Sequence, residues 1–208
     1  MKTTSHLTRL SSIKRCLILT MLIPAACITN LYAQSSYKLG NAKENLVKVS
    51  GKSNVHDWTM NALNPTAEAE FGALNSDSNI PKSLTALSFS VNAKSLKSEH
   101  ASMDNRTYKV IKADAHPKIS FKLASATIAS AGKNKFTVKA NGALTIAGVT
   151  KNVTMQVNGE VKDDDSIVCT GNQPIRLTDY GMEPPSFMLG AMKVANELTI
   201  NYSLNFKK

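Results

Sequence analysis

The alternating stretch between residues 136 and 161 constrains the fold of this 208-residue chain more than any other part of the sequence. In its first half the apolar or small residues occupy even positions, namely Phe136, Val138, Ala140, Gly142, Leu144 and Ile146. After residues 147–150 they occupy odd positions, namely Val153, Met155, Val157, Gly159 and Val161. A period of two places one strand face against a core and the other in water. The stretch therefore predicts an antiparallel hairpin of two strands.

Both predicted arms are unusually long. Each has about 11 residues, whereas a usual strand has about 5–6. Gly142 and Gly159 lie inside the arms, where glycine marks a bend or a close approach. Long strands with one apolar face and internal glycines suit a sheet that curls into a barrel better than a flat sandwich.

The first 33 residues predict a signal peptide. They begin with four basic residues and no acidic residue, the basic ones being Lys2, Arg9, Lys14 and Arg15. The apolar run that follows, residues 16–28, is shorter than the ~20 residues of a transmembrane helix and fits the core of a signal peptide. Residues 31–33 (Leu-Tyr-Ala) offer a cleavage site before Gln34. We therefore expect an exported, periplasmic protein, with secretion or lipid anchoring through Cys27 as alternatives.

Cysteine content and charge narrow the class of protein further. Cleavage before Gln34 leaves Cys169 as a single cysteine, so no intrachain disulfide forms and the core depends on burial. The net charge of +10 includes the leader's four basic residues, and the remaining lysines are scattered rather than clustered. Solvated strand faces explain this charge better than nucleic-acid binding does, so no nucleic-acid partner is predicted.

The rest of the chain reads mainly as further strands. Residues 34–45 predict an extended lead-in, followed by one domain over residues 46–208. Alternating runs predict strands over residues 46–60, 67–73, 85–93, 119–123, 167–177 and 198–206. The apolar parity of the first run changes between Val55 and Trp58, which predicts a bulge. Pro174 predicts a break in its run.

One segment has a helical period instead. Its apolar residues lie on one helix face and are Met103, Val110 and Ile111, with Tyr108 close by. The pattern predicts a helix over residues 98–114, capped by Ser98 and ended before Pro117. About eight strands with short connections and one short inserted helix predict an all-β fold, an antiparallel up-and-down β-barrel, because closure leaves no free strand edge.

Five local signatures follow one another along these segments. They are residues 53–58 (Ser-Asn-Val-His-Asp-Trp), 103–109 (Met-Asp through Tyr-Lys), 116–121 (His-Pro-Lys-Ile-Ser-Phe), 142–151 (Gly-Ala-Leu-Thr-Ile-Ala-Gly-Val-Thr-Lys) and 179–182 (Asp-Tyr-Gly-Met). In this order they resemble the YceI-like family across residues 46–206. The resemblance implies a lipocalin-like barrel that binds polyisoprenoid lipids. Residues 100–106 depart from the more acidic, arginine-bearing helix of many members, so ligand identity transfers least there.

The interior of an eight-stranded barrel is either filled by side chains or holds one slender ligand. Many inward positions carry small residues, which leave volume: Gly51, Ser53, Ala67, Ala69, Ala73, Ala93, Ala140 and Gly142. The predicted apolar lining consists of Val55, Trp58, Phe71, Phe89, Met103, Tyr108, Ile111, Phe121, Met155 and Tyr202. The predicted polar or mouth residues are His56, Asp57, Tyr180, Phe187 and Met188.

The predicted function is that of an exported, non-enzymatic protein holding a long apolar lipid, a polyisoprenoid or isoprenoid quinone. Burial gains about 0.8 kcal/mol per CH₂ group, so affinity needs no charged contact. Carriage, storage or stress-related scavenging follow by family analogy. The alternative is a filled barrel acting as a structural or interaction module of the envelope. Transient membrane contact and a homodimer remain open as further partnerships.

Catalytic and metal sites are not predicted. His56, His100 and His116 show no metal-ligand spacing, and His56 and Asp57 are adjacent in a strand, so they point to opposite faces. The acidic run 163–165 lacks the glycine and distal glutamate of a calcium loop, and it predicts a hairpin tip. No catalytic residue, metal or cofactor is therefore assigned.

Overall fold

A computed structural model describes residues 34–208 of the chain, and the predicted signal peptide lies outside the described residues. The strands are β1 (Gln34–Leu39), β2 (Leu46–Ser53), β3 (Asp57–Ala62), β4 (Thr66–Gly72), β5 (Leu84–Asn92), β6 (Leu96–Lys97), β7 (Lys118–Gly132), β8 (Lys135–Ile146), β9 (Val149–Val161), β10 (Ile167–Arg176), β11 (Ser186–Phe187) and β12 (Met192–Lys207). One α-helix, α1 (Ala101–Val110), lies between β6 and β7.

Three pairs of consecutive short strands each occupy one strand position of the barrel, namely β1 with β2, β3 with β4, and β5 with β6. β1 and β2 both pair with β12, and on their other side they pair with β4 and β3 respectively. β4 and β3 in turn pair with β5 and β6. The remaining neighbours follow chain order from β5 through β7, β8, β9 and β10 to β12. The result is the predicted up-and-down antiparallel barrel of eight long strands, which is confirmed together with its single inserted helix.

The long hairpin predicted over residues 136–161 is present as β8 and β9. Their pairing runs without a register shift from Lys135 opposite Glu160 to Ile146 opposite Val149. The connection is the two-residue turn Ala147–Gly148, whose φ values are 50° and 80°. Two successive positive φ values suit the twist of a tight hairpin. The turn therefore accounts for the switch of the apolar positions from even to odd.

The N-terminal boundary of the predicted domain is corrected by β1. Tyr37 is 2% exposed and packs edge-on against Phe71, with 5.4 Å between the ring centroids. Residues 34–39 are therefore a barrel strand and not a lead-in. The sequence shows no apolar alternation here, because Tyr37 is the one deeply buried side chain of β1 and its neighbours are polar.

The parity change near Val55 is a turn and not a bulge. The Ser53 amide donates to the carbonyl of His56 at 3.0 Å, and the Ser53 hydroxyl donates to the same oxygen at 2.8 Å. These bonds end β2 and begin β3, so the predicted strand 46–60 is a hairpin of two strands. A tight turn and a bulge produce the same switch of apolar parity in a sequence.

Pro174 does not break β10. The strand pairs with β9 only as far as Gly171, whereas its pairing with β12 continues through Pro174 opposite Thr199. A proline lacks an amide hydrogen and is tolerated where one side of a strand is unpaired. The predicted break is therefore wrong.

One end of the barrel is closed by large side chains. Phe71 contacts Phe206 edge-on, with 6.2 Å between the ring centroids. The side chains of Phe136, Val161 and Ile167 are each at most 1% exposed. The predicted acidic hairpin tip, residues 163–165, joins β9 to β10 outside this end. Within residues 34–208, no helix is both long and apolar enough to cross a membrane.

Candidate functional site

A cavity of about 380 Å³ occupies the barrel between this closed end and helix α1. Side chains from every long strand of the barrel contribute to its wall. The volume lies in the range of about 300–1,000 Å³ that is usual for ligand sites. The interior is therefore open enough to accommodate a ligand.

Most of the predicted lining faces this cavity. The predicted residues on its wall are Trp58, Phe71, Phe89, Met103, Ile111, Phe121, Met155 and Tyr202, together with the mouth candidates His56 and Phe187. Those in strands share the inward parity of their strands, Met103 and Ile111 lie on the inner face of α1 or directly after it, and His56 lies in the β2–β3 turn. Alternation along a strand thus carries the positional information for the wall.

Three predicted residues lie at the surface and outside the cavity wall. Val55, at the tip of the β2–β3 turn, is 61% exposed, and Met188 is 76% exposed. Asp57 begins β3 opposite Lys52 and is also exposed. The turn at residues 53–56 changes the direction of the chain, so the strand parity that assigned Val55 inward does not apply there.

Two further predicted residues are structural. The Tyr108 hydroxyl oxygen lies 2.9 Å from the carbonyl oxygens of both Lys94 and Leu96, which ties α1 to the segment before it. Tyr180 is 2% exposed in a short 3₁₀ turn outside the cavity wall. Burial, and then the charge of Asp179, raise the pKa of the Tyr180 phenol. Neither residue lies on the cavity wall.

The glycines of the inner face do not supply the cavity volume as predicted. A Cβ at Gly51 would lie 2.3 Å from the Trp58 ring, and one at Gly142 would lie 2.4 Å from the Phe121 ring. Aromatic side chains of neighbouring strands thus cover these glycines. Of the small residues predicted to leave volume, Ser53 and Ala140 line the cavity, and Ala73 is exposed.

The mouth of the cavity is marked by wall residues that are also exposed to solvent. They are His56, His100, Ser102 and Arg106. The Arg106 guanidinium carbon lies 4.6 Å from the centroid of the Phe187 ring, a cation–π distance. This contact connects α1 with β11 at the mouth. The polar side of the mouth therefore consists of one guanidinium, two imidazoles and the Ser102 hydroxyl.

Helix α1 is held beside the cavity by a buried carboxylate. Asp104 is 6% exposed and accepts hydrogen bonds from the Ser98 amide at 2.7 Å and the Ser98 hydroxyl at 2.8 Å. The Lys97 ammonium lies 3.5 Å from the other carboxylate oxygen. Ser98 thus binds a side chain within the helix, whereas the predicted cap position is taken by His100 without a side-chain bond. The helix therefore begins at Ala101, three residues later than predicted.

Removal of the Asp104 charge is expected to loosen α1. Burial alone would raise the pKa of Asp104, but the hydrogen bonds from Ser98 and the Lys97 charge lower it below its usual value. Its contribution is therefore present above the unfolded-state pKa of about 3.9 and is lost as the pH falls through the folded-state pKa. We expect Asp104→Asn to cost about 1.5–3 kcal/mol of unfolding free energy at pH 7, measured by urea denaturation.

The matched control for this carboxylate is Asp114→Asn. Asp114 pairs with Lys94 at 2.6 Å, but its side chain is 90% exposed, and an exposed pair contributes about 0–1 kcal/mol. The difference between wild type and Asp104→Asn should narrow below about pH 4. A difference that is equal at pH 7 and pH 3 would contradict the role of the Asp104 charge.

Two polar atoms on the wall have no hydrogen-bond partner within residues 34–208. They are the Trp58 indole nitrogen and the Tyr202 hydroxyl. Burial, with a smaller effect of Cys169, raises the pKa of the Tyr202 phenol to about 12, so the hydroxyl keeps its proton. A buried donor without a partner costs about 1–3 kcal/mol. Both donors are fully buried, and they are the unsatisfied polar atoms of the wall.

Several wall residues were not predicted although the sequence carries a pattern for most of them. Leu198 and Ile200 continue the alternation of β12 and line the cavity. Arg106 and Thr107 lie three and four positions after Met103, the spacing of one helix face, and also line it. Gln173 belongs to the wall without a comparable signal in the sequence.

The side chains of the site do not form a reactive cluster. Burial raises the pKa of the Cys169 thiol to about 12, and a neutral thiol is a poor nucleophile and metal ligand. His116 packs against Gly148, where an added Cβ would lie 2.4 Å from its ring. No group of three or more histidine, cysteine, aspartate or glutamate side chains in the described range is placed to hold a metal ion.

Sequence comparison places the chain in relation to known proteins. A family model described as the YceI-like domain matches residues 37–206. No curated protein sequence matches the chain significantly.

Solved structures share the fold at low sequence identity. Burkholderia cenocepacia BcnA is 16% identical with a TM-score of 0.62, and the match covers 79% of this chain and 98% of that one. A polyisoprenoid binding domain from Saccharophagus degradans, implicated in plant cell wall breakdown, is 11% identical with a TM-score of 0.62, covering 82% and 97%. The Campylobacter jejuni YCEI protein is 18% identical with a TM-score of 0.53, covering 76% and 85%. At these identities the likeness concerns the fold.

Proposed function

The chain belongs to the YceI-like domain family, and on this premise we propose that it is a non-enzymatic binding protein for a long apolar lipid. The barrel interior takes the lipid tail, and the mouth at α1 holds the polar head. The most suitable tail is isoprenoid, as in a polyisoprenoid or an isoprenoid quinone. A solved structural relative is described as a polyisoprenoid binding domain, and that description supports the choice of ligand.

The observation that carries the proposal is an open apolar cavity with a single polar margin. Its wall is built from aliphatic and aromatic side chains, and its exposed polar side chains are gathered at the end near α1. Water in such a cavity finds few polar partners, so an apolar tail replaces it favourably. A filled barrel, the alternative role, leaves no space of this size.

The donors at the mouth favour a head group that accepts hydrogen bonds. The Arg106 guanidinium and the His56 imidazole both line the cavity and are exposed to solvent there. The oxygen of a quinone, alcohol or phosphate head group is an acceptor of this kind. These residues bind and orient the head group, and the proposal requires no cofactor and no reaction.

Export and a role in the periplasm are part of the same proposal. The support is the basic and apolar leader over residues 1–33, which has the pattern of a signal peptide. A lipid with a long tail is insoluble in the aqueous space outside a membrane, so a barrel that shields the tail allows its carriage or storage. Stress-related scavenging is the corresponding role when the lipid has left its membrane.

Fluorescence titration tests the proposal, because Trp58 is the single tryptophan of the chain and lines the cavity. We expect an isoprenoid quinone to quench its emission saturably at one ligand per chain, with a Kd of roughly 1 µM or tighter. The same head group without a tail should bind at least about 100-fold more weakly, because the tail supplies the buried area. Equal affinity for both compounds, or no saturable quenching, would contradict the proposal.

A further inference from the structure

The rim of the cavity carries a cluster of exposed apolar side chains, called here the rim patch and defined as Val55, Met188 and Leu189. Val55 is 61% exposed, Met188 is 76% exposed and Leu189 is fully exposed. In residues 34–208 only Leu46 and Leu63 are comparable exposed large hydrophobic residues. We propose that the rim patch docks the protein on the surface of a lipid bilayer.

Hydrogen bonds join the two segments that carry the rim patch. The Asn54 side chain donates to the carbonyl of Ala191 at 2.9 Å and accepts from the amide of Lys193 at 2.8 Å. The Asn54 amide also donates to the carbonyl of Lys193 at 3.1 Å. The β2–β3 turn and the segment after β11 are thereby fixed to one another. Their apolar residues act from one connected surface.

The same segments form the mouth of the cavity. His56 follows Val55 and Phe187 precedes Met188, and both His56 and Phe187 line the cavity. The exposed patch therefore borders the opening through which an apolar ligand enters the barrel. An apolar margin beside an opening gives such a ligand a path that avoids water.

The backbone at the patch departs from what bulky residues prefer. Met188 has φ 53° and Leu189 has φ 55°, in the left-handed region where glycine and asparagine are favoured. Two consecutive exposed apolar residues hold this conformation instead. Strain of this kind concentrates at functional segments, and it argues that the apolar side chains themselves are required there.

Size and charge select a bilayer over a protein partner. Three side chains are too few for the ~800 Å² per partner of a stable protein interface, whereas shallow insertion into a bilayer needs only a few apolar residues above a polar face. The two joined segments, residues 52–57 and 186–194, carry Lys52 and Lys193 against the single acidic residue Asp57. Basic side chains at this depth suit anionic lipid head groups.

Flotation with vesicles of phosphatidylethanolamine and phosphatidylglycerol tests the inference. The wild-type protein is expected to float with the vesicles, and Met188→Asn/Leu189→Asn is expected to lose at least about 10-fold in vesicle affinity. Asparagine tolerates the left-handed backbone, so this variant retains the fold. Leu63→Asn, which removes another exposed leucine, is the matched control and should float like the wild type. Equal flotation of all three proteins would overturn the inference.

A second readout separates docking from ligand binding. The Met188→Asn/Leu189→Asn variant, called here the rim variant, should still bind an isoprenoid quinone added from detergent, because neither altered residue lines the cavity. Quenching of Trp58 fluorescence measures this binding. Loss of flotation by the rim variant with intact quinone binding supports the rim patch. If the wild type binds the quinone but does not float, docking is refuted and the proposed function stands. If the wild type floats but does not bind the quinone, the proposed function is refuted and docking stands. A dimer in solution that the rim variant converts to a monomer would assign the patch to a second copy and overturn the inference.

Discussion

Ala140→Phe is expected to lower the affinity of the barrel for an isoprenoid quinone by roughly 30-fold, a loss of about 2 kcal/mol. Ala140 lies on β8 with its side chain in the cavity wall and is 2% exposed. A phenyl ring at this position displaces two or three ligand carbons, each of which contributes about 0.8 kcal/mol when buried. Titration of Trp58 fluorescence measures the change directly. A smaller substitution, Ala140→Val, should give an intermediate loss.

The matched control is Ala143→Phe on the outer face of the same strand. Ala143 lies opposite Lys122 on one side and Asn152 on the other, and it is absent from the cavity wall. We expect unchanged affinity in this variant. Overpacking at Ala140 can cost about 1–3 kcal/mol of stability, so thermal unfolding must show that both variants are folded at the temperature of the titration. Unaltered affinity of a folded Ala140→Phe would refute the cavity as the ligand site.

Gly159→Ala is expected to destabilise the barrel by about 3 kcal/mol, a large effect for one methyl group. A Cβ at Gly159 would lie 2.2 Å from the Phe136 ring, which is itself 1% exposed in the closed end. The ring has no exposed space into which it can move, so the strands must separate or the ring must leave its position. Urea denaturation of wild type and variant measures the difference in unfolding free energy.

A double-mutant cycle with Phe136→Leu identifies the cause of this loss. The shorter side chain removes the ring that the new methyl group meets, so Gly159→Ala should cost at least about 1 kcal/mol less in the Phe136→Leu background. Simple additivity of the two single variants would show that the ring is not what Gly159 accommodates. A loss below about 0.5 kcal/mol in the single variant would contradict the packing at the closed end.

The barrel could be predicted because its strands are long and wet on one face. β8 and β9 carry an uninterrupted alternation, and the glycine-containing turn between them fits a tight hairpin. Alternation fixes which side chains face inward, and most of the predicted wall follows from it. The parts that failed are those where backbone direction changes within a few residues. Val55 and Met188 lie in such segments, where a period of two carries no information about facing.

The origin of the cavity volume could not be read from residue size alone. Gly51 and Gly142 have no side chain and were expected to leave space, yet aromatic rings from adjacent strands cover both. Which ring lies over which glycine depends on strand register, and register across separate hairpins is a long-range property. β1 was not predicted for a related reason. Tyr37 is the one deeply buried residue of this polar strand, and its pairing partner Ala69 lies more than thirty residues away in the sequence.

The role of α1 was partly accessible from the sequence. The apolar spacing of Met103, Val110 and Ile111 located the face that lines the cavity. The attachment of the helix by Asp104 depends on Ser98, which precedes the helix and folds back toward it. A separation of six residues between Ser98 and Asp104 matches no local capping pattern, so the hydrogen bonds between them could not be predicted from the sequence.

Native mass spectrometry of the protein purified gently from its own cells, followed by organic extraction, tests the central claim that the barrel carries one long apolar lipid. The account predicts a discrete added mass at one molecule per chain, and the extracted compound should be a polyisoprenoid or an isoprenoid quinone. The Ala140→Phe variant, prepared in the same way, should carry markedly less of it. A clean mass for the protein alone, with no uptake when such lipids are supplied, would contradict the claim.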